Sequence, residues 1–577
     1  MRIRHIEVRN FRGIKCLNWA PSPHVNCLIG AGDSGKTSIL DAIELALIPR
    51  AQTIFDDSHF FNLDYDNSIR ISVTLGELPE AFKALALYGS YLRGWDPMAK
   101  SIAEEPDEAN GLESVLSINL EVDKTLEPRW RVFRDRVLDD GTPDRTIRFE
   151  DRPLFAPTRL GAYADRHLTW GRNSILTRLT RKDRVGSDVL AEAARAARRH
   201  FVASGEPLFK DVIDQIPRQA RQVGVTIGGN VAAKLDVGGV ALSSGGVSLH
   251  EDELPLRLLG EGSSRLLVAA LQANLADSAP IALIDEVEHG LEPHRISRLL
   301  RYLKSHRDGG RPQLFLTTHS PVVLQELAID DLAIARRYSS TGRVTVFSAE
   351  TGLAKPSSQA QLRTMPAAYL ARSVLVCEGK TEVGLVRGLD RHWSKNGADP
   401  LAALGVAPAD GGGKDNAPLV AKHFAHLQFK VALFLDSDKD PDDTTVLPFL
   451  ESQGVKIIRW EKGKATEDVL FNDLGDNALR AMLRLLADEP DLGAIPDNIN
   501  TLAQANIAGS WIDIQARCTE APIRAHLTSG AKKFEWIKRR LSLSEEIGFR
   551  ILGPAATNLR GTNAECLAQL RAWIDSE

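Results

Sequence analysis

The chain has 577 residues, too many for one hydrophobic core, and roughly two to four domains are expected. Hydrophobic content of 43% and charged content of 25% are ordinary for a folded globular protein, and a net charge of −5 excludes a wholly basic nucleic-acid binder while leaving a local basic patch open. No apolar run reaches the roughly 18 residues that a bilayer crossing needs. The N-terminus MRIRHIEVRN has no signal-peptide apolar region, and the five cysteines (Cys16, Cys27, Cys377, Cys518, Cys566) are scattered with no Cys-x-x-Cys. The expectation is a soluble, cytoplasmic chain without a membrane partner, a disulfide framework or a zinc site.

In chain order, Ile3, Ile6 and Val8 open a strand and NFRGI follows as a turn. HVNCLI is a second strand, running into GAGDSGKT and then SILDAIELALI, where Ile39, Ile43 and Leu47 have helical spacing. SIRISVTL (68–75) and SINLEV (117–122) alternate as half-buried strands. Residues 80–235 read as an inserted β and helical region, with basic helical material at 176–200 that holds Arg178, Arg181, Lys182 and Arg184, then Arg195, Arg198 and Arg199. From 254 the pattern is parallel α/β: LLVAALQANLA, IALIDE, HRISRLLRYLKSH, QLFLTTHS. TGLAKPSSQAQ reads as a linker, and a second α/β unit starts at SVLVCEGKTE. After about residue 476 apolar residues return at helical spacing. The boundaries expected are 1–79 and 236–350 for two lobes of one domain, 351–371 for the linker, 372–475 for the second α/β domain and 476–577 for a helical end.

Two sets of residues carry chemistry. In GAGDSGKT, Gly30, Gly32 and Gly35 let backbone N–H groups approach phosphate oxygens, and a helix N-terminus adds partial positive charge. Lys36 reaches the β- and γ-phosphates of ATP, Ser34 and Ser38 flank it, and the Thr37 hydroxyl suits Mg²⁺. A P-loop needs a carboxylate on a neighbouring strand, which Asp285 supplies, and Glu286 can orient an attacking water. His319 again ends an apolar strand. The second set is acidic. SVLVCEGKTE delivers Glu378 and Glu382, VALFLDSDKD delivers Asp436 and Asp438, and KATEDV delivers Glu467. Both strands end at the edge where open parallel sheets collect ligands. Carboxylates crowded there repel unless a cation neutralises them, and hard cations such as Mg²⁺ or Mn²⁺ take oxygen ligands. An acidic turn at each strand end is the plain alternative.

MRIRHIEVRNFRGIK, the P-loop, LLGEGSSRLLVAAL, IALIDEVEHGLEP and LFLTTHS resemble the ABC-type ATPase heads of chromosome-maintenance and recombination proteins. By that resemblance Gly260 and Gly262 lie in the signature motif, which binds the γ-phosphate of ATP held by a second protomer. Glu286 then matches the catalytic glutamate and His319 the switch histidine. GEGSSR departs from the usual LSGGQ-like form. The acidic set resembles a Toprim domain, and a head followed by Toprim resembles the OLD (overcoming lysogenization defect) family of nucleases. Size and order are also similar to the nuclease subunit of the Gabija antiphage system.

The resemblance implies metal-dependent DNA nicking or cleavage, dimers or tetramers through the ATPase part, and in some members a UvrD-like helicase partner. It makes Glu378, Glu382, Asp436, Asp438 and Glu467 ligands or their supports. It also implies a lysine near the C-terminus, for which Lys533 is the first candidate in SGAKKFEWIKRR, ahead of Lys532 and Lys538. A Lys beside the metals would neutralise developing charge, and a basic face that only touches DNA backbone is the equal alternative. Two other functions stay open. One is a DNA-repair ATPase whose Toprim-like half binds DNA without cutting. The other is an ATP-controlled scaffold for a partner nuclease or helicase.

Overall fold

The computed structural model describes residues 1–47, 54–134, 145–148, 150–161, 165–170, 174–176, 190, 192–197, 199–200, 247–273, 280–304, 312–349, 355–507 and 509–576. Of the basic cluster, Arg178, Arg181, Lys182, Arg184 and Arg198 lie outside these; Arg195 and Arg199 are exposed. The chain divides into two units, Met1–Asn26 with Thr37–Thr318, and Cys27–Lys36 with His319–Glu577.

The strands follow the alternation of apolar residues. β1 (Arg2–Phe11) pairs antiparallel with β2 (Ile14–Trp19), and β3 (Val25–Ile29), buried throughout, leads to α1 (Lys36–Leu47). In the first unit β1 also pairs with β4 (Ile69–Gly76), and β4 pairs with β7 (Glu113–Val122). β5 (Arg93–Asp96), β6 (Ser101–Ala103) and β8 (Pro128–Phe133) complete this antiparallel block. The strands expected in an insertion beginning at residue 80 therefore extend the N-terminal lobe itself as far as Phe133. Ile118, Leu120 and Val122 of β7 are buried with the core of that lobe.

A parallel group follows in the same unit. β9 (Thr158–Leu160) and β11 (Gln313–Thr317) flank β10 (Ile281–Ile284), with α2 (Glu261–Ala273) and α3 (Pro293–Lys304) as the intervening helices. β10 is buried at every position, as a strand covered on both faces must be.

In the second unit β12 (Leu332–Tyr338) runs parallel to β3, with Leu332, Ala333 and Ile334 facing Cys27, Leu28 and Ile29, and pairs antiparallel with β13 (Arg343–Ser348). The expected linker is helical and packed where described: helices cover Lys355–Thr364 and Pro366–Leu370, because Leu362, Ala368 and Tyr369 bury their side chains. A four-stranded parallel sheet comes next, in the order β15 (Val406–Asp410), β14 (Ser373–Cys377), β16 (Lys430–Leu435), β17 (Lys456–Arg459). After β14 comes α4 (Lys380–Lys395).

The helices beyond residue 476, among them α5 (Asp476–Ala487), α6 (Ala521–Lys533) and α7 (Leu541–Ile547), share one core with this sheet. α4 meets α7 through glycines. A Cβ on Gly388 would stand 2.1 Å from the Glu545 carbonyl, so only a bare backbone permits the approach. This places the chain's C-terminal part against the helix that begins just after Glu378. Among the described residues no helix is long and apolar enough to cross a membrane.

Candidate nucleotide and metal sites

The P-loop is built on backbone only glycine adopts easily. Gly30 has φ +149 and Gly35 φ +92, and a Cβ on Gly30 would stand 2.4 Å from the Ala335 carbonyl of β12. Lys36 is buried, and its Nζ donates to the carbonyls of Gly30 and Ala31 at 3.0 Å and to Ser34 Oγ at 3.3 Å. The ammonium is thus stored inside the loop that receives phosphate. Gly32 is exposed at the loop's tip; Thr37 is exposed and Ser38 half-buried at the start of α1.

The expected carboxylate follows β10. Asp285 Oδ1 accepts from Thr317 Oγ1 at 2.6 Å, and its Oδ2 accepts from Arg159 at 2.9 Å. Arg159 also reaches Glu44 at 3.2 Å and pairs with Asp41 on α1, so one guanidinium ties the P-loop helix to the end of β10. Glu286 is exposed with φ +46, a strained conformation for a non-glycine residue at a candidate catalytic position. Arg265, 1% exposed, donates to the carbonyls of Asp285 and Glu286 at 2.9 Å each and to Gly161 at 2.7 Å. Arg265 ends the GEGSSR motif, and sequence reasoning gave it no role; a buried Arg within a signature-like motif was the available signal. Gly260 is exposed, and Gly262 packs so closely that a Cβ would stand 2.3 Å from the Gly290 carbonyl. His319 is exposed directly after Thr317 and Thr318.

The acidic set comes together at the C-terminal edge of the four-stranded sheet. Glu378 Oε2 accepts from the Asp436 backbone N–H at 3.0 Å, so the ends of β14 and β16 are side by side. Glu382, 5% exposed, caps the start of α4 by accepting from the Gly379 N–H at 2.9 Å. Thr466 joins the two strand ends: its Oγ1 lies 2.7 Å from Asp436 Oδ1 and 3.0 Å from Glu382 Oε1, and accepts from Trp460 Nε1 at 3.0 Å. One hydroxyl proton cannot serve two carboxylates. The network closes when Thr466 donates to Asp436 while a protonated Glu382 donates to Thr466. Burial, with Glu378 and Glu467 nearby, pushes Glu382 up to about 7, which supplies that proton. Burial raises Asp436 well above the usual carboxylate range, with Glu382 and Glu378 adding repulsion. Burial also raises Glu378 and Glu467. Asp438 is exposed, and its charge acts on Glu378. Thr466 and Trp460 were not singled out from sequence; a Thr directly before the predicted Glu467 was the only hint.

Among the described residues no three Asp, Glu, His or Cys side chains are already arranged around one ion position. The reason is local: the oxygens of Glu378, Glu382 and Asp436 are turned to backbone N–H groups and to Thr466. The donor set nevertheless fits a hard divalent cation, being all oxygen, partly desolvated and mutually repelling.

Of the three C-terminal lysines, Lys538 lowers the pKa of both Glu378 and Glu467, and Lys532 acts on Glu467 while pairing with Asp468. Lys533 holds its ammonium 5.6 Å from the ring centre of Phe534. The Lys538 loop is fixed by the Arg539 N–H, which donates to Thr381 Oγ1 at 3.1 Å, with Glu535 and Arg539 both at positive φ.

Three families match segments of the chain. An "AAA ATPase domain" matches residues 1–89, an "AAA domain, putative AbiEii toxin, Type IV TA system" matches 120–325, and an "Overcoming lysogenization defect protein-like, TOPRIM domain" matches 370–438. Residues that match ATPase families thus precede, in one chain, residues that match an OLD-like Toprim family. The DNA replication and repair protein RecF of Porphyromonas gingivalis is 24% identical over 379 residues, covering 57% of this chain and 94% of that protein. The RecF of Nitrosococcus oceani is 49% identical over 51 residues, covering 9% and 14%. Among solved structures, the SMC head domain from Thermotoga maritima aligns with 60% of this chain and 99% of its own at 16% identity and TM-score 0.29. An SMC head bound to the C-winged helix domain of ScpA aligns with 60% and 97% at 14% identity and TM-score 0.35.

Proposed function

We propose that this chain is an OLD-type, ATP-binding, divalent-metal-dependent DNA endonuclease. The observation that carries the reading is the gathering of Glu378, Glu382, Asp436 and Glu467 at one sheet edge, where Thr466 bridges Glu382 and Asp436 and the half-buried and buried acids repel one another. Glu378, Asp436 and Asp438 would hold Mg²⁺ or Mn²⁺, with Glu382 and Glu467 as ligands or supports. The metal supplies Lewis-acid chemistry that lowers the pKa of water and stabilises a leaving phosphodiester oxygen. Lys538 and Lys532 attract and neutralise the DNA backbone at the same edge, and Lys538 takes the role that the sequence alone gave first to Lys533. Glu382, able to hold or release a proton near neutral pH, is the group suited to proton transfer beside the cut bond.

In the ATPase domain, Lys36 and the P-loop amides bind the triphosphate, Thr37 and Asp285 the Mg²⁺, and Glu286 with His319 the attacking water and γ-phosphate. Gly260 and Gly262 would face ATP of a second protomer, which makes a dimer or tetramer the working assembly. Antiphage defence, a Gabija-like setting and a UvrD-like helicase partner belong to the same reading and rest on family resemblance.

The test is conversion of supercoiled plasmid in Mn²⁺ by wild type and by Glu378→Ala, with and without ATP. Nicking by wild type and none by the variant is expected. Intact plasmid under every condition, from folded protein, ends the proposal. The RecF relatives favour one second reading, a DNA-repair ATPase whose Toprim half binds without cutting. It predicts DNA-stimulated ATP turnover that Asp436→Ala leaves untouched.

A further inference from the structure

β12 runs alongside β3 and passes the P-loop, where it leaves an unusual cation. A cleft of about 280 Å³ is lined on one side by P-loop residues 31–34 and on the other by β12, including Arg336 and Arg337. The Arg336 guanidinium stacks 3.7 Å from the ring centre of Phe429. Its Nε and Nη2 are buried and have no hydrogen-bond partner. Burial lowers its pKa to about 10, and among the described residues the only ionisable group acting on it is Tyr338. Asp33 lines the same cleft but is exposed and makes no ion pair with it. A half-buried cation whose buried N–H groups make no hydrogen bonds is unfavourable unless an anion completes it. The anion that belongs in a P-loop cleft is a phosphate chain. Phe429 immediately precedes β16, the strand that ends at Asp436.

We propose that Arg336 is a nucleotide-binding residue that donates to the phosphate chain in the P-loop cleft and, through its stack on Phe429, transmits occupancy to the Toprim strand β16. The proposal rests on the nucleotide-binding reading of the P-loop and adds a positioning group and a route. A phosphate that engages Nε and Nη2 draws the guanidinium toward the cleft and weakens the stack, and the rigid strand beyond Phe429 carries that change to its acidic end.

The experiment measures binding of a fluorescent ATP analogue to the full chain, together with amide hydrogen exchange in residues 430–435. For wild type, binding and a change in exchange on adding nucleotide are expected. Arg336→Met keeps the apolar stem; it should bind roughly tenfold more weakly, lose the exchange response, and melt no lower than wild type without nucleotide, since a half-buried cation with unmade hydrogen bonds has been removed. Equal binding by Arg336→Met and wild type overturns this inference alone. No binding by wild type overturns the nucleotide reading as well. If the variant fails to fold, the wild-type exchange decides: residues 430–435 unaffected by bound nucleotide overturn the route.

Discussion

The P-loop and the Toprim edge pose opposite charge problems. At the P-loop a cation waits for an anion, and the waiting is made easy: Lys36 is satisfied by the carbonyls of Gly30 and Ala31. At the Toprim edge anions wait for a cation, and among the described residues nothing fully relieves them. Glu378, Glu382, Asp436 and Glu467 all have raised pKa values, and Lys538 only partly offsets two of them. Backbone can store one cation cheaply because carbonyls are abundant. It has no equivalent store for several carboxylates, so these take up protons and share Thr466. The nucleotide site is therefore expected to be insensitive to pH near neutrality, and the acidic site strongly sensitive to pH and to divalent ions.

The sharpest break between the two regions is expected from Asp436→Ala and Lys36→Ala. The first should lower plasmid nicking by about 10²-fold or more while ATP-analogue binding persists. The second should abolish analogue binding while nicking without ATP persists. Loss of both activities in either variant would mean that the two regions are one site.

A smaller effect separates the lysines. Lys538→Met should slow nicking by roughly 10-fold or more, and Lys533→Met should leave it near wild type, measured at low salt. The reverse order would return Lys533 to the site.

The pH contrast comes next. Glu382 titrates near 7 in the fold against 4.5 ordinarily, so the fold favours its protonated form. That contribution to stability is complete below the ordinary value and lost as pH rises through about 7. In chelator, the melting temperature should fall between about pH 5.5 and pH 8; Mg²⁺ or Mn²⁺ should flatten the fall, and so should Glu382→Gln. A flat profile in chelator would show that the acids are already neutralised by the protein.

The smallest effect tests the shared hydroxyl. Thr466→Val removes the group that links Glu382 to Asp436 and leaves Trp460 Nε1 without its acceptor. It should cost about 1–3 kcal/mol in denaturant unfolding, with nucleotide binding unchanged.

The sequence by itself determined the elements that depend on local pattern: the apolar runs before Gly30, Asp285, Glu378 and Asp436, the P-loop glycines, and the order of ATPase and Toprim domains. Those features are legible because strand burial and phosphate cradling impose residue types on neighbours in the chain. Only the tertiary structure decided which distant groups meet. Thr466 stands 30 residues from Asp436 and 84 from Glu382 and touches both. Arg265 clamps carbonyls 20 and 21 residues away, and Arg336 finds Phe429. Lys538 acts on Glu378 and Glu467 from a loop after α6 in which Glu535 and Arg539 have positive φ, and helical periodicity carries no trace of such a turn. Partners brought together by packing leave no fixed spacing in sequence, so a hydroxyl or guanidinium that completes a site reads there as one polar residue among many.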